Sequence, residues 1–282
     1  MKEDIFHISD TAYWIAGFRA QETQRSDAAF KDALAEKLAG ERGMQMVATT
    51  PYMKAMAFAM VVRTVAIDRL LHSAISNGIT TVINLGAGLD TRPYRLELPP
   101  GLQWIEVDLP GVIAYKNEKL KTDKPVCRLE RISCDLSNEI ERKNLFSELD
   151  KKSNNSLVLT EGLIGYLSVE EAASLSRDIL DTPSFRFWAM DYSRGKYRTT
   201  RATKKLAKKL KNTPIRFKHP EPLQFFSRHG WTIKENLSIL DEARRIKRRL
   251  PLMFPWNTLM FLFPQKMYRI GNATYGYVMF AK

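Results

Sequence analysis

Cysteine and histidine are scarce in this sequence. Cys127 and Cys134 are its two cysteines and lack metal-site spacing, which argues against both a disulfide-braced secreted scaffold and a structural zinc site. The four histidines, His7, His72, His219 and His229, are scattered, and no H-E-x-x-H pattern occurs. The opening "MKEDIFHISD" has no apolar core of signal-peptide length. The charge-free run "LPLMFPWNTLMFLFPQ" at 250–265 is too short for a spanning helix and is broken by Pro251, Pro255 and Pro264. These absences predict a cytoplasmic protein that needs no metal. Repeats and low-complexity linkers are missing too, so the chain reads as one domain, 1–282. It comprises an N-terminal helical segment (1–78), a core (79–191) and a basic insert, cover and final strands (192–282).

The composition is that of a globular protein, with 44% of 282 residues apolar. The formal net charge is +13, and the excess is concentrated. "SRGKYRTTRATKKLAKKLKNTPIRFKH" carries eleven Lys and Arg in a stretch free of acids, and "RRIKRR" at 244–249 places five in six positions. Such a field attracts nucleic acid, an anionic membrane or an acidic substrate; a solvated face that only confers solubility is the other reading.

Periodicity divides the chain near residue 78. Before it the pattern is helical: "SDAAFKDALAEKLAG" offers Ser26 and Asp27 as caps, puts Phe30, Leu34 and Leu38 on one face and stops at Gly40. A longer helix runs from about Tyr52 to Asn77-Gly78. After it, short apolar strands near 80–85, 103–108, 126–132, 156–161 and 184–191 alternate with helices near 110–121, 138–149 and 169–181, the signature of a parallel α/β sheet. "SVEE" at 168–171 is a capping box opening the last of these helices. "WTIKEN" and the closing "TYGYVMFAK" add strands, the final one as an antiparallel partner.

The first strand runs into "NLGAGLDTRPYRL". A strand, glycine turn and helix can cradle a pyrophosphate, but that fingerprint needs a third glycine where this sequence has Thr91, and Asp90 would repel phosphate. An acid there suits a cationic, phosphate-free ligand such as S-adenosylmethionine. The following strand ends carry acids in turn: Asp108, twenty residues past Gly88 and spaced to take ribose hydroxyls, then Asp135, then Glu161. One acid in a turn means little; four at successive strand ends argue for a ligand rich in hydroxyl, amino and cationic groups.

With these residues goes a family likeness. "TAYWIAGFRAQETQRSDAAFKDALAEKLAGERG" (11–43), "VVRTVAIDRLL" (61–71), "INLGAGLDTRPYRL" (83–96), "WIEVDLPGVIAYKNEKL" (104–120), "CDL" (134–136) and "EGLIGYLSVEEA" (161–172) resemble the leucine carboxyl methyltransferase family, in particular its bacterial branch of tetracenomycin-type polyketide O-methyltransferases. The resemblance implies a Rossmann-like class I methyltransferase fold: a mostly parallel seven-stranded sheet with an antiparallel last strand. It implies S-adenosylmethionine as cofactor and S-adenosylhomocysteine as product. It also implies that Arg63 holds the amino-acid carboxylate, that the Gly86-Ala87-Gly88 backbone lines that moiety, and that Asp108 binds the ribose. Asp135 and Leu136 would meet the adenine and Glu161 the region of the ammonium, with Asp90, Leu109 and Gly162 also among the cofactor-binding residues. For Arg63 an ion pair with a neighbouring helix is the competing role. Arg19, Tyr94, Tyr166 and Arg194 are candidates on the substrate side, with packing an equal reading for the tyrosines.

No triad-like constellation accompanies these residues, and carboxylate methylation needs none, because the acceptor is already ionised. The expected partner is therefore a small anionic acceptor, attracted by basic residues such as Arg194, Lys196, Arg198 and Arg201. Protein C-terminal carboxyl methylation and RNA methylation are the alternatives; against RNA, Tyr197 and Phe217 are the only aromatic residues in the basic stretch. Residues 250–265 read as a cover over the acceptor pocket, with membrane-surface contact as the lesser reading. Oligomeric state has no sequence signal.

Overall fold

A computed structural model describes residues 10–50, 53–194, 214–251, 262, 265 and 275–282. The N-terminal part is helical: α1 (Asp10–Thr23), α2 (Ala35–Ala48) and α3 (Met53–Ser76). The core then alternates β1 (Thr81–Leu85), the short α4 (Arg92–Arg95), β2 (Gln103–Asp108), α5 (Pro110–Lys119), β3 (Arg128–Ser133), α6 (Glu139–Lys152) and β4 (Ser156–Thr160). A 3₁₀ turn (Ile164–Tyr166), α7 (Val169–Asp181), β5 (Phe185–Ser193), α8 (Pro222–Arg228), β6 (Thr232–Ser238), α9 (Ile239–Arg245) and β7 (Tyr275–Ala281) complete the described chain.

The seven strands form one sheet in the order β3-β2-β1-β4-β5-β7-β6. β1 to β5 pair in parallel, with Thr81 opposite Gln103 and Ser156 opposite Phe185, and β7 runs antiparallel to both β5 and β6. Every residue of β1 and β4 is buried, as expected of central strands covered on both faces. Alternate residues supply two cores. Val82, Trp104 and Leu157 pack with Val62, Ile67 and Leu70 of α3 on one face, whereas Ile83, Ile105 and Val158 pack with Phe146, Leu175 and Trp231 on the other. The capping box forms: Ser168 Oγ accepts from Glu171 N, and Ser168 N donates to Glu171 Oε2 at 2.7 Å.

The helix expected from Ser26 is the main correction. Residues 24–34 are turns and coil, and Ser26 and Asp27 cap nothing. The loop is organised by a buried carboxylate instead, Asp32, which accepts from Arg19 Nε at 2.8 Å and Thr91 Oγ1 at 2.6 Å. Satisfying that charge overrides a local helical pattern. Gly40 does interrupt α2, at φ +57°, but the helix resumes and continues to Ala48. The run 244–249 is partly structural as well: Arg245 pairs with Glu242, and Arg248 reaches Asp27 Oδ2 at 2.7 Å and also bonds Glu22. No helix among the described residues is long and apolar enough to cross a membrane.

Candidate functional site

Strand order reverses at β1, flanked by β2 and β4, so a crevice opens beyond the carboxyl ends of these strands. It holds a cavity of about 510 Å³. The turn after β1 forms its floor, with Gly86 at φ +68° and Gly88 at φ +51°, both in the left-handed region that favours glycine. A Cβ on Gly86 would come within 3.2 Å of Leu163 Cδ1. The N–H groups of this turn are spoken for. Gly86 N and Ala87 N both donate to Val107 O, at 2.8 and 3.1 Å, and Gly88 N donates to Asp108 Oδ2 at 2.6 Å. A phosphate cradle needs such donors turned toward the ligand. These face the protein.

A charge network lies behind the floor. Arg92, 3% exposed, reaches Asp68 at 2.6 Å, Glu161 Oε2 at 2.7 Å and Asp90 Oδ2 at 2.9 Å. Arg95 shares Asp68 at 2.8 Å; Arg63 lies 2.9 Å from Glu161 Oε1 and 3.7 Å from Asp191. Asp191 in turn accepts from Gly162 N at 2.6 Å and from the Tyr275 hydroxyl. Burial alone would raise the Asp90 carboxyl, but Arg92, with Lys116, Arg19 and Arg95, holds it far below the usual range. Asp90 therefore lines the cavity as a neutralised partner of Arg92 and Asn84, not as a free anion facing a ligand. Among the described residues, three guanidiniums (Arg63, Arg92, Arg95) meet four carboxylates (Asp68, Asp90, Glu161, Asp191), so this cluster leans negative. Arg63 Nε, although buried and close to Glu161, makes no aligned hydrogen bond among the described residues.

The wall at the end of β2 and β3 is mixed polar and apolar. Asp108 Oδ1 accepts from Leu109 N at 2.7 Å, and its other oxygen from Gly88. Burial pushes its pKa up although both bonds favour the charged form. Its remaining lone pairs can still take hydroxyl donors. Leu109, Val112 and Leu136 supply apolar surface, while Asp135 is exposed and accepts from Ser137 N and Oγ at 2.9 and 2.6 Å. The opposite wall comes from α1 and the 3₁₀ turn: Thr11, whose side chain bonds the Tyr166 hydroxyl, then Ile15, Leu163 and Leu167.

The profile of the leucine carboxyl methyltransferase family matches residues 12–180. A Frankia alni protein assigned as an S-adenosyl-L-methionine-dependent methyltransferase is 31% identical over 244 residues, spanning 79% of this chain and 82% of that protein. The chain belongs to the leucine carboxyl methyltransferase family. A Streptomyces coelicolor protein of the same assignment is 34% identical over 177 residues, which are 58% of this chain and only 61% of that relative's length. Among solved structures, a DUF574 family protein from Streptomyces avermitilis superposes with a TM-score of 0.58 at 14% identity, covering 95% of this chain and 96% of that one. A Thermobifida fusca protein assigned as a methyltransferase gives 0.56 at 15% identity, covering 95% and 94%. These two share the Rossmann-like α/β fold.

The leucine carboxyl methyltransferase match contains every cavity residue named here except Thr11 and Arg216. All eleven residues assigned to the cofactor from sequence, Arg63, Gly86, Ala87, Gly88, Asp90, Asp108, Leu109, Asp135, Leu136, Glu161 and Gly162, line the one cavity. Of the substrate-side candidates, Tyr166 and Arg19 line it, Arg19 held by Asp32 and by Leu89 O. Tyr94 does not: its hydroxyl accepts from Arg131 at 2.6 Å, away from the cavity. Arg194, one residue past the end of β5, is not among the lining residues either. Lys196, Arg198 and Arg201, His7 and most of 250–265 lie outside the described residues. Sequence reasoning missed Asn84, Ile15 and above all Arg216, which reaches the cavity from 45 residues beyond its partner Glu171. Only its place in the basic stretch hinted at it.

Proposed function

We propose that this protein transfers a methyl group from S-adenosylmethionine to the carboxylate of a small acceptor, of polyketide or related secondary-metabolite type. The observation that carries the reading is the turn after β1. With the three N–H groups of Gly86, Ala87 and Gly88 engaged by Val107 and Asp108, and with acidic groups around it, the cavity suits a cationic ligand without phosphate.

The residues present fit that cofactor. S-Adenosylmethionine supplies a methyl group on a positively charged sulfur. Arg63, buried and with an unaligned Nε, would hold its carboxylate, and Glu161 would face its ammonium. The lean toward negative charge behind the floor favours both positive groups. Asp108 would accept from the ribose hydroxyls, and Leu109 and Leu136, with Asp135, would bound the adenine. Glycine at 86 and 88 keeps the floor low: a Cβ on Gly86 would crowd Leu163, and one on Gly88 would come within 3.4 Å of Ala12 Cβ.

The chain's own chemistry is then alignment. No histidine or lysine lines the cavity among the described residues. The Tyr166 hydroxyl, its pKa raised by burial despite Thr11 and Arg63, stays protonated and serves as a donor. A carboxylate acceptor, with a pKa of about 4, requires no base. α1 and the 3₁₀ turn exclude water from a reaction in which opposite charges cancel. The likeness of 83–96 and 161–172 to the polyketide branch supports a small molecule over a protein terminus.

Thermal shift with S-adenosylmethionine, S-adenosylhomocysteine and NAD tests the reading, followed by labelled-methyl transfer to a panel of carboxylic acids. Ligand at a hundred times its Kd adds about 2.7 kcal/mol to stability, a shift of several degrees. Stabilisation by NAD and not by the adenosyl ligands would overturn the proposal.

A further inference from the structure

Among the described residues, four arginines line the cavity: Arg19, Arg63, Arg92 and Arg216. Three are buried. Arg19 belongs to Asp32, Arg63 lies against Glu161 and Asp191, and Arg92 is shared by three carboxylates. Arg216 differs in where its charge stands. Its partner is Glu171, with Nη1 2.9 Å from Oε2 and Nη2 donating to Oε1 at 3.1 Å, and the two side chains are 49% and 42% exposed. An ion pair so wet contributes little, so exchanging its anion costs little.

Its position is nevertheless built. Arg216 N and Phe217 N both donate to Gly165 O, at 2.8 and 3.2 Å, which fastens this segment across the 3₁₀ turn that carries Tyr166. Phe217 is 6% exposed and packs on Phe225 and Phe226, with ring centroids 5.6 and 5.7 Å away. Glu171 is fixed from the other side by the capping box, since its Oε2 also accepts from Ser168 N. Arg216 thus lines the same cavity as Ile15, Leu163 and Leu167, held against a carboxylate that its own helix start keeps in place.

We infer that Arg216 is the specificity residue that takes the acceptor's carboxylate, and that Glu171 occupies it in the free protein as an internal substitute for that anion. The inference rests on the methyltransferase reading. Binding exchanges one carboxylate for another on the same planar fork, and Glu171 keeps its capping-box bond when released. An uncharged ester or amide cannot make the exchange, so product leaves as Glu171 returns.

The test uses the full chain loaded with S-adenosylhomocysteine, titrated calorimetrically with 1-naphthoate and with uncharged 1-naphthamide, and repeated without the adenosyl ligand. Wild type is expected to prefer naphthoate. Arg216→Gln should weaken naphthoate by about tenfold or more, the factor of one charge-assisted hydrogen bond, and leave naphthamide within about twofold. Glu171→Gln keeps a capping-box acceptor and should tighten naphthoate several-fold, an effect that a merely structural Arg216 would not produce. Both variants should keep S-adenosylhomocysteine affinity, which also shows that they fold. No preference for naphthoate in wild type, an unchanged naphthoate affinity in Arg216→Gln, or a weakened one in Glu171→Gln overturns the inference while leaving the methyltransferase reading intact. If wild type does not bind S-adenosylhomocysteine, both fall together.

Discussion

Replacing Arg92 by methionine, close to it in volume but uncharged, tests how the site floor is held. Arg92 touches three carboxylates, and they fare differently when it goes. Asp68 keeps Arg95 at 2.8 Å, and Glu161 keeps Arg63 at 2.9 Å. Asp90 keeps only the neutral Asn84 amide at 2.9 Å and the backbone N–H of residue 92 at 3.0 Å. One buried carboxylate is thereby left without a charged neighbour in contact, a change that costs about 3–5 kcal/mol. Urea unfolding followed by circular dichroism at pH 7.5 should show that loss. Adding Asp90→Asn should recover about 2 kcal/mol, because the stranded charge is then gone. The pH dependence follows from the direction of the shifts. Asp90 and Asp68 both titrate below their ordinary range in the folded protein, burial opposing and the arginines prevailing. The stability they confer is present above their unfolded pKa, near 4, and is lost as pH falls through the lower folded values. The gap between wild type and Arg92→Met should therefore be full above about pH 5 and narrow as the solution is acidified. A loss below about 1 kcal/mol, or a double variant no more stable than the single one, would refute the reasoning.

Gly86→Ala places a Cβ 3.2 Å from Leu163 Cδ1 at a φ of +68°; about 1–2 kcal/mol of stability should go, and S-adenosylhomocysteine should bind more weakly in calorimetry. Trp231→Phe, at a residue that does not line the cavity, removes the Nε1–H bond to Ser176 Oγ (3.0 Å) and vacates space in the core. It should lower stability by about 2–4 kcal/mol in the same urea assay, with ligand affinity unchanged; a parallel fall in affinity would show that the core and the site are coupled.

Much of the fold is legible because its signals are local. Alternating apolar residues in "TVINL" and "SLVLT" must face two covered sides of a sheet, and Ser168 with Glu171 states a helix start outright. The cavity wall is legible for a related reason: acids at strand ends converge once the strands are parallel, whatever lies between them. The stretch around Asp32 was misread because its helical pattern is weaker than the demand of one buried carboxylate for Arg19 and Thr91. The pairing of Asp90 is not legible in the same way, since nothing in "GLDTR" says that the arginine two residues on folds back onto it at 2.9 Å.

What the sequence by itself determined is therefore the run of strands and helices, and the residues at the strand ends, because periodicity and turn chemistry act over a few residues. Only the tertiary structure decided how charge is distributed among them. Which guanidiniums are consumed by buried carboxylates, and that Arg216 from beyond β5 lines the cavity with an exposed partner, Glu171, depend on distances of a few ångströms between segments remote in the chain. Electrostatic energy is set by those distances and by burial, and neither is written in sequence order.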